Sequence, residues 1–264
     1  MSVVVPTYNE RDRLEELIDR IFDAWHSSRE PELAGPLEVI VVDDNSPDGT
    51  GACADAIALR RSVRVVHRAG KLGLGTAVVA GFEVARGRVV AVMDADLSHP
   101  PQLLPRLVRV LRETGADFVV ASRYVPGGSN NDVPLRRLMS RAACRVAGQL
   151  TPVCDAMSGF FALHADRARS AHTEVKGFKI CLELLVRTMP RTVVEVPYSF
   201  VGRSAGKSKA NLGEAVLFVK QLRSLREFIA RRKPGQPAHL VADAVSVDES
   251  AGSVVPVMPA SGTR

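Results

Sequence analysis

Two carboxylates stand two residues apart at Asp94 and Asp96, directly after the apolar run Val89–Met93. Carboxylates with this spacing at the end of a strand can converge on one hard divalent cation, which prefers oxygen ligands and keeps positions for phosphate oxygens. A cation held there would stabilise the charge that develops on a diphosphate leaving group. A lone pair of acids with this spacing is more often a solvated loop, so the interpretation depends on the elements around it.

A second acidic segment, residues 43–50, follows the apolar run Leu37–Val42. Acids at the strand ends of open α/β sheets commonly bind ribose hydroxyls or base edges. The Asn, Ser, Pro, Asp and Gly of this segment also favour turns. We expect both roles, with Asp43 for a ligand and residues 46–49 for the turn. Paired acids after an early strand are also typical of phospho-receiver domains, although that fold is shorter than this chain.

Basic residues cluster in two places further along the chain. Residues 203–209 contain one arginine, two lysines, a glycine and two serines. Such a loop can close over a diphosphate and shield it from water. Arg136, Arg137 and Ser140 begin a basic helix, where they would either bind a second phosphate or face solvent.

The glycines and prolines of two further segments favour loops. Residues 6–10 end the first apolar run and could present Tyr8 and Glu10 to a nucleotide, with Asn9 capping the following helix. Residues 70–76 contain three glycines but lack the ending of a Walker motif and the full dinucleotide fingerprint. We interpret them as a tight connection between a strand and a helix.

The polar segments are spaced by a repeating order of strands and helices. Near-continuous apolar strands between amphipathic helices indicate a parallel sheet covered on both faces, hence an α/β fold. Ligands bind such sheets at the carboxyl ends of the strands. The predicted strands are Ser2–Pro6, Leu37–Val42, Val63–His67, Val89–Met93 and Phe118–Ser122, and the predicted helices are Glu10–His26, Gly51–Arg61, Leu74–Ala85 and Pro101–Thr114.

The second half of the chain is less regular. It predicts a basic helix over Leu135–Leu150, a strand over Val193–Phe200 and a long helix over Asn211–Lys233. The long helix has an apolar stripe with basic flanks, which would either lie on an anionic membrane surface or pack on the core. Residues 234–264 have four prolines and no apolar periodicity, which predicts a disordered or loosely attached tail. The expected organisation is one catalytic domain over 1–233 and this tail.

The composition of the 264 residues is that of a globular protein, with 46% hydrophobic residues and a formal charge of +6. A basic balance fits nucleic acid, anionic membranes or phosphorylated ligands. The four cysteines form no CxxC pair, which favours reduced thiols and a cytosolic setting. No run of about 18 apolar residues is present, and no signal peptide is expected at the N-terminus.

In their order and spacing these segments resemble the dolichyl- or polyprenyl-phosphate mannosyltransferases, inverting enzymes of glycosyltransferase family 2 with a GT-A fold. The resemblance runs over about residues 1–230. The segments after residue 150 distinguish this subfamily from its relatives, whereas the acidic triplet occurs widely. The matching segments are VVVPTYNE (3–10), VVDDNSPDGT (41–50), GLGTA (73–77), DADLSHPP (94–101), ASRYVPGG (121–128), MSGFFAL (157–163), GFKICLELL (177–185) and GRSAGKSK (202–209).

The resemblance implies a role for particular residues. The implied nucleotide-binding residues are Pro6, Tyr8, Glu10, Val41 and Asp43. The residues implied for the metal and diphosphate are Asp94, Ala95 and Asp96, with Ser98 as a third metal-ligand position. Those implied for the charged groups of the donor are Arg123, Lys179, Arg203 and Lys209, of which Arg123 and Arg203 join Asp96 as the expected catalytic residues. Arg136 and Ser140 fall where the family meets the acceptor phosphate.

Two positions depart from the family pattern. Relatives often have Gln where this chain has Ser98, which is shorter, so a water would take part of that ligand's place and the preference between Mg²⁺ and Mn²⁺ stays open. Relatives often have Pro where this chain has Ala156, which loosens a turn without changing the chemistry.

The reaction implied by the resemblance is transfer of mannose from GDP-mannose to a polyprenyl phosphate, with inversion. The expected location is the cytoplasmic face of a membrane, reached directly or through a membrane-protein partner, and no nucleic acid is expected. The alternatives are a polyprenyl-phosphate glucosyltransferase that uses UDP-glucose, a related transferase with a soluble acceptor, and a non-catalytic nucleotide-binding or phospho-receiver protein.

Overall fold

A computed structural model of the chain describes residues 1–28, 35–170, 179–200, 212–231, 244–247 and 254–256. Nine strands form one sheet in the order β11-β10-β8-β5-β7-β4-β1-β2-β3. These strands are β1 (Ser2–Thr7), β2 (Glu38–Asp43), β3 (Val63–His67), β4 (Val89–Val92), β5 (Phe118–Ser122), β7 (Phe161–His164), β8 (Val193–Pro197), β10 (Ala244–Val247) and β11 (Val254–Pro256). Two two-residue strands, β6 (Ser129–Asn130) and β9 (Ser199–Phe200), pair separately.

The sheet is mostly parallel, as the sequence predicts. Strands β1 to β5 and β8 run in one direction, so their carboxyl ends meet at one edge. Strand β7 is inserted antiparallel between β4 and β5. This insertion brings the segment that precedes β7 to the edge where β4 and β5 end.

Eight helices accompany the sheet within the described residues. They are α1 (Arg11–His26), α2 (Thr50–Ala58), α3 (Leu74–Val84), α4 (Leu103–Glu113), α5 (Pro134–Ala147), α6 (Ala165–Ser170), α7 (Ile180–Arg187) and α8 (Leu212–Ala230). Residues from α1, α2 and α4 share one core cluster, and residues from α3, α5, α7 and α8 share another. Alternate residues of β1 and β2 enter the two clusters, because successive strand side chains point to opposite faces. The sheet is therefore covered on both sides.

The helix α3 lies unusually close to the sheet. A Cβ atom built on Gly81 would stand 2.4 Å from Cγ1 of Val4 in β1. Only a residue without a side chain allows this approach. The close packing sets the distance between α3 and β1.

Three regions differ from the sequence-based expectation. The strand predicted over Val193–Phe200 is divided into β8 and β9 at Tyr198. Strand β7 and the helices α6 and α7 were not predicted as elements. For residues 234–264 a disordered or loosely attached tail was expected; within the described residues of this segment, β10 pairs with β8 and β11 pairs with β10, in keeping with the strand propensity of their valines.

A search of the described residues for a helix long and apolar enough to cross a bilayer finds none. All four thiols are free, as expected, with Cys144 and Cys181 buried and the other two half-buried. Burial raises the pKa of Cys144 and of Cys154 to about 12, so both thiols stay protonated at neutral pH.

Candidate active site at the carboxyl edge of the sheet

The acidic triplet forms a tight turn immediately after β4. The backbone amide of Ser98 donates a hydrogen bond to Oδ1 of Asp96 at 3.0 Å. Leu97, between them, has a φ of 62°, a left-handed conformation that costs on the order of 1–3 kcal/mol in a residue of this kind. The side chain of Asp94 is 30% exposed. The turn thus places the triplet directly after the carboxyl end of β4.

His99 supports the turn from beneath. The amide of Asp94 donates to Nδ1 of His99 at 3.1 Å, so the proton of a neutral ring lies on Nε2, which is 3.9 Å from Oδ2 of Asp94. Burial lowers the pKa of His99, which keeps the ring neutral. Its ring stacks on Phe160 at 5.2 Å. The imidazole therefore fixes the backbone of the triplet without adding a charge.

The segment before β7 packs against the acidic triplet. A Cβ atom built on Gly159 would lie 2.9 Å from Oδ2 and 3.1 Å from Oδ1 of Asp94. A side chain at this position would displace the carboxylate. The glycine of the MSGFFAL segment thus sets the distance between the acidic turn and the inserted strand.

The residues of this turn fit a divalent cation. Two carboxylates and a hydroxyl are hard oxygen ligands of the kind that Mg²⁺ and Mn²⁺ accept. Within the described part of the chain, Oγ of Ser98 is buried and has no hydrogen-bond partner, which suits a direct or water-mediated ligand. The described residues contain no cluster of three or more His, Cys, Asp or Glu side chains placed for a metal. Phosphate oxygens and water would therefore complete the coordination.

Asp43, at the end of β2, organises the neighbouring loop. Its carboxylate is 3% exposed and accepts hydrogen bonds from the hydroxyl of Ser46 at 2.5 Å and of Thr7 at 3.2 Å, and from the amide of Ser46 at 3.1 Å. A Cβ atom on Gly51 would stand 2.9 Å from its Oδ2. Asp43 thus holds the turn of residues 46–49 together, and its expected role towards a ligand stays a prediction.

Tyr8 and Glu10 lie on the loop that follows β1. Tyr8 is 37% exposed, and Nζ of Lys71 lies 4.0 Å from its ring centre. The amide of Glu10 donates to Oγ1 of Thr50 at 3.0 Å, and Asn9, between them, has a φ of 62°. The predicted capping role of Asn9 is wrong, because Glu10 is the N-cap residue of α1 and the first amide of the helix, that of Arg11, donates to Asp48 at 3.2 Å.

The other two predicted nucleotide-binding residues are strand residues. Pro6 is half-buried near the end of β1. Val41 lies two residues before the end of β2, and its side chain is fully buried in the core. The structure therefore brings Tyr8, Glu10 and Asp43 to the sheet edge and leaves Val41 beneath it.

An ion pair that the sequence analysis missed anchors the glycine loop. Nη1 of Arg68 lies 2.5 Å from Oδ1 of Asp44, and both side chains are less than 10% exposed. Oδ2 of the same carboxylate accepts from the amide of Gly73 at 3.2 Å. The loop of residues 70–73 is thus tied to the end of β2. In the sequence, the only sign of this ion pair was the second acid of the adjacent pair Asp43 and Asp44.

Arg123, after β5, is held by a carboxylate that the sequence did not single out. Its Nε and Nη2 each donate to Asp155 at 2.7 Å, and its amide donates to the same side chain at 2.9 Å. Burial opposes the charge, but the hydrogen bonds that Arg123 donates to Asp155 raise the pKa of Arg123 above its ordinary value. The guanidinium is 12% exposed. Arg123 is therefore a fixed cation near His99, with two of its five guanidinium N–H donors bound to Asp155.

Glu195 completes the support beneath Arg123. Its carboxylate accepts from the amides of Cys154 at 2.8 Å and of Asp155 at 3.0 Å. Burial raises the pKa of Glu195. The network orders the segment that leads from Asp155 to Gly159, which joins Arg123 to the acidic turn.

Helix α5 places Arg136 and Ser140 one turn apart on its half-buried face. Continuing along this row, Cys144 contacts the Asp155 carboxylate at 3.7 Å, so the row leads towards Arg123. Arg136 pairs with Asp132 at 3.4 Å. The two residues expected at an acceptor phosphate therefore share one face that points towards the fixed cation.

Lys179 precedes α7 as its N-cap residue. Its backbone is held by Gln221 of α8, which accepts from the Lys179 amide at 3.2 Å and donates to the Lys179 carbonyl at 3.0 Å. Arg203 and Lys209 lie outside the described residues. Their expected contacts with the donor stay predictions, as do all the roles assigned to individual residues here.

Comparison with known proteins decides the family. Residues 2–180 match the model described as glycosyl transferase family 2. The chain belongs to this family. A dolichol-phosphate mannosyltransferase of Saccharomyces cerevisiae is 38% identical over 86% of this chain and 87% of its own length. The resemblance to polyprenyl-phosphate mannosyltransferases is thereby confirmed, and the phospho-receiver alternative is wrong.

Two further relatives have the same kind of name. A polyprenol monophosphomannose synthase of Mycolicibacterium smegmatis is 39% identical over 83% of this chain and 85% of that protein. A dolichol-phosphate mannosyltransferase of Pyrococcus furiosus is 40% identical over 79% of this chain, which spans only 58% of that relative. The relatives therefore differ in what they carry beyond the region shared with this family 2 chain.

Solved structures agree on the fold. A mannosyltransferase of Pyrobaculum calidifontis, solved with GDP-mannose and Mn²⁺, has a TM-score of 0.62 at 19% identity and covers 89% of this chain and 65% of its own. A glucosyl-3-phosphoglycerate synthase of Mycobacterium tuberculosis has a TM-score of 0.61 at 22% identity, over 89% of this chain and 81% of its own. The predicted GT-A fold is confirmed.

Proposed function

We propose that this chain transfers mannose from GDP-mannose to a polyprenyl phosphate, with inversion at the anomeric carbon. The activity follows the names of relatives that are 38–40% identical over most of the chain. GDP-mannose is chosen over UDP-glucose on the same ground. The geometry supplies an independent reason for a phosphate acceptor.

The observation that carries the proposal is the bridge from Asp155 to Gly159. At one end Asp155 binds Arg123 and contacts Cys144 of α5. At the other end Gly159 abuts Asp94. One short segment thus joins the acidic turn, which suits a donor diphosphate, to a basic region that suits a second phosphate.

The chemistry divides between these two regions. Asp94, Asp96 and Ser98 would hold Mg²⁺ or Mn²⁺, which neutralises the charge that develops on the leaving diphosphate. Tyr8, Glu10 and Asp43 border the nucleotide. Arg136 and Ser140 orient the acceptor phosphate, and Arg123 contributes a fixed positive charge near the reacting groups. Arg203 and Lys209 would complete the donor contacts.

A dedicated general base is not required. A phosphate monoester has a second pKa near about 6, so the acceptor oxygen is already ionised at neutral pH. The protein then needs to position two anionic reactants and to stabilise charge, which are the larger contributions in such reactions. The buried, neutral His99 is consistent with a structural rather than a proton-transferring role.

Contact with a membrane surface forms part of the proposal. Helix α5 exposes Leu135, Leu138 and Met139, each by at least 50%, beside its arginines. Helix α8 exposes Val216, Leu217 and Val219. Apolar residues flanked by cations suit an anionic bilayer interface, where a polyprenyl chain would be anchored. A location on the cytoplasmic face, and a membrane-protein partner, are parts of the same proposal.

The test is one donor panel. GDP-mannose, UDP-glucose and UDP-N-acetylglucosamine are each incubated with polyprenyl phosphate in anionic vesicles, with Mn²⁺, with Mg²⁺ and with chelator. We expect transfer from GDP-mannose alone, dependent on a divalent cation. Transfer from UDP-glucose would replace the proposed donor, and transfer in excess chelator would contradict the role of the acidic turn.

The Asp96→Asn variant tests the metal site itself. It keeps the side-chain volume and the oxygen that accepts from Ser98, but removes one carboxylate charge. We expect the transfer rate to fall by at least about a hundredfold, as for the loss of a principal electrostatic contact. Asp166→Asn, an exposed substitution on α6, serves as the matched control. A wild-type rate in Asp96→Asn would refute the proposed role.

A further inference from the structure

A buried side-chain amide ties α8 to the backbone of Lys179. Gln221 is 5% exposed. Its Oε1 accepts from the amide of Lys179 at 3.2 Å, and its Nε2 donates to the carbonyl of the same residue at 3.0 Å. One side chain thus pairs with both backbone groups of a single residue, in the manner of a strand neighbour. This contact fixes the residue that begins α7.

The amide is itself held in orientation. Nε2 of Gln221 also donates to Oε2 of Glu183 at 2.6 Å. Glu183 is buried and pairs through Oε1 with Nε of Arg187 at 2.8 Å. Since a carboxylate accepts and does not donate, it determines which end of the Gln221 amide is the NH₂ group. The carbonyl end is then left to receive the Lys179 amide.

A second contact fastens the same helices one turn further on. Nη2 of Arg187 donates to Oγ of Ser224 at 3.2 Å, and the guanidinium lies 5.0 Å from the ring centre of Phe228. This contact joins α7 to α8 but does not touch Lys179. The helix pair therefore has one polar contact at the N-cap of α7 and a second one along its length, and Glu183 links the two.

The face of α8 that carries Gln221 borders a cavity. Leu217, Gln221 and Ser224 line a cavity of about 400 Å³ that separates α8 from the loop of residues 72–76. The hydrogen bonds between Gln221 and Lys179 therefore lie on a face of α8 that borders this gap. Breaking them would remove Gln221 from the Lys179 amide, whereas the Lys179 carbonyl would still accept from the amide of Glu183 at 3.1 Å.

We infer that Gln221 is a positioning residue for Lys179: it sets the backbone from which the lysine reaches the anionic part of the sugar nucleotide. The inference rests on the proposed function, because it takes Lys179 as a donor-binding residue. It gives α8 a role in donor binding although the helix contributes no expected ligand contact of its own. The same helix exposes apolar residues, so a membrane-facing element also orders a residue of the donor site.

The test is a double-mutant cycle with Gln221→Met and Lys179→Met. Methionine keeps the length of either side chain but removes the hydrogen bonds or the charge. With polyprenyl phosphate saturating, we expect Gln221→Met to lower kcat/KM for GDP-mannose about fivefold to tenfold. In the Lys179→Met background the same substitution should change kcat/KM by less than about twofold, because the group it positions is absent.

Ser224→Ala is the matched control, since it loosens the second tie between the same helices. We expect it to lower the melting temperature while leaving kcat/KM for the donor within about twofold in both backgrounds. Equal losses of kcat/KM from Gln221→Met with and without Lys179 would overturn the inference. So would an unchanged kcat/KM in Gln221→Met alone.

Donor binding separates this inference from the proposed function. The four proteins of the cycle are titrated calorimetrically, in Mn²⁺, with GDP-mannose, UDP-glucose and UDP-N-acetylglucosamine. Non-additive losses of affinity without any mannose transfer would support Gln221 and reject only the proposed reaction. Mannose transfer with additive losses would reject only the role of Gln221. Binding of no sugar nucleotide by the wild-type protein would reject both.

Discussion

Helices α4 and α5 have similar sequence patterns but opposite relations to the core. Seven of the eleven residues of α4 are buried, whereas only Cys144 and Ala147 of the fourteen in α5 are. Both helices carry leucines at helical spacing and arginines between them. In α5 the leucines are exposed, with Leu135 at 67% and Leu138 at 66%.

The difference shows that an apolar stripe predicts a helix without saying what covers it. The α4 stripe is needed to close one face of the sheet. The leucines of the α5 stripe pack on no other element within the described residues. In a stable protein, exposed leucines grouped with arginines indicate a site that contacts another molecule or a membrane. In the proposed function, this surface of α5 contacts the bilayer that holds the polyprenyl phosphate.

The largest expected difference between the two helices is in how much a leucine-to-alanine substitution lowers the free energy of unfolding. Leu107 is fully buried in α4. Its substitution by Ala should lower the free energy of unfolding of the protein by about 3 kcal/mol, because the cavity left behind collapses only partly. Leu138→Ala in α5 should change the same quantity by no more than about 0.5 kcal/mol. Urea denaturation measures both. A loss above about 2 kcal/mol in Leu138→Ala would mean that the α5 stripe is packed after all.

A smaller effect is expected on membrane binding. The double variant Leu135→Gln, Leu138→Gln should reduce partitioning into anionic vesicles at least about tenfold, since two side chains lose apolar burial in the interface. Its melting temperature should stay near that of the wild type. Flotation measures the bound fraction. Unchanged flotation of a folded double variant would remove α5 from the proposed membrane surface.

The smallest effect is expected from a single charge. Arg145→Gln in α5 should weaken binding to anionic vesicles about fivefold at low salt, in line with about 1 kcal/mol per cation near the surface. The effect should shrink in 0.5 M salt, where exposed charges are screened. Arg112→Gln in the last turn of α4 is the matched control. Equal losses from the two variants would indicate general electrostatic attraction instead of a particular face.

The alternation of strands and helices up to Ser122 was predictable from local pattern. Each apolar run is bounded by turn residues, so strands β1 to β5 and helices α1 to α4 lie within a few residues of the expected bounds. The acidic turn was predictable for the same reason, because Asp94 directly follows a run that has no other interpretation than a buried strand.

The supporting contacts of the site were not predictable in this way. Asp155 stands 32 residues from Arg123, and Gln221 stands 42 residues from Lys179. No periodicity connects residues at such separations, since their pairing depends on how the second half of the chain crosses the sheet. The direction of β7 is another example: three apolar residues and a histidine predict a strand at most, and not an antiparallel one.

The place of β7 in the sheet also has a consequence for synthesis. A nascent chain can pair β1 to β4 once residue 92 has emerged, but the outer side of β4 stays an open edge until Phe161–His164 arrives. Open edges of apolar strands recruit other chains. We expect fragments that end before residue 161 to aggregate during translation, whereas fragments that extend to residue 256, and so include β7, β10 and β11, stay dispersed. Sedimentation of chains released at the two lengths would show whether the growing chain aggregates until β7 has been synthesised.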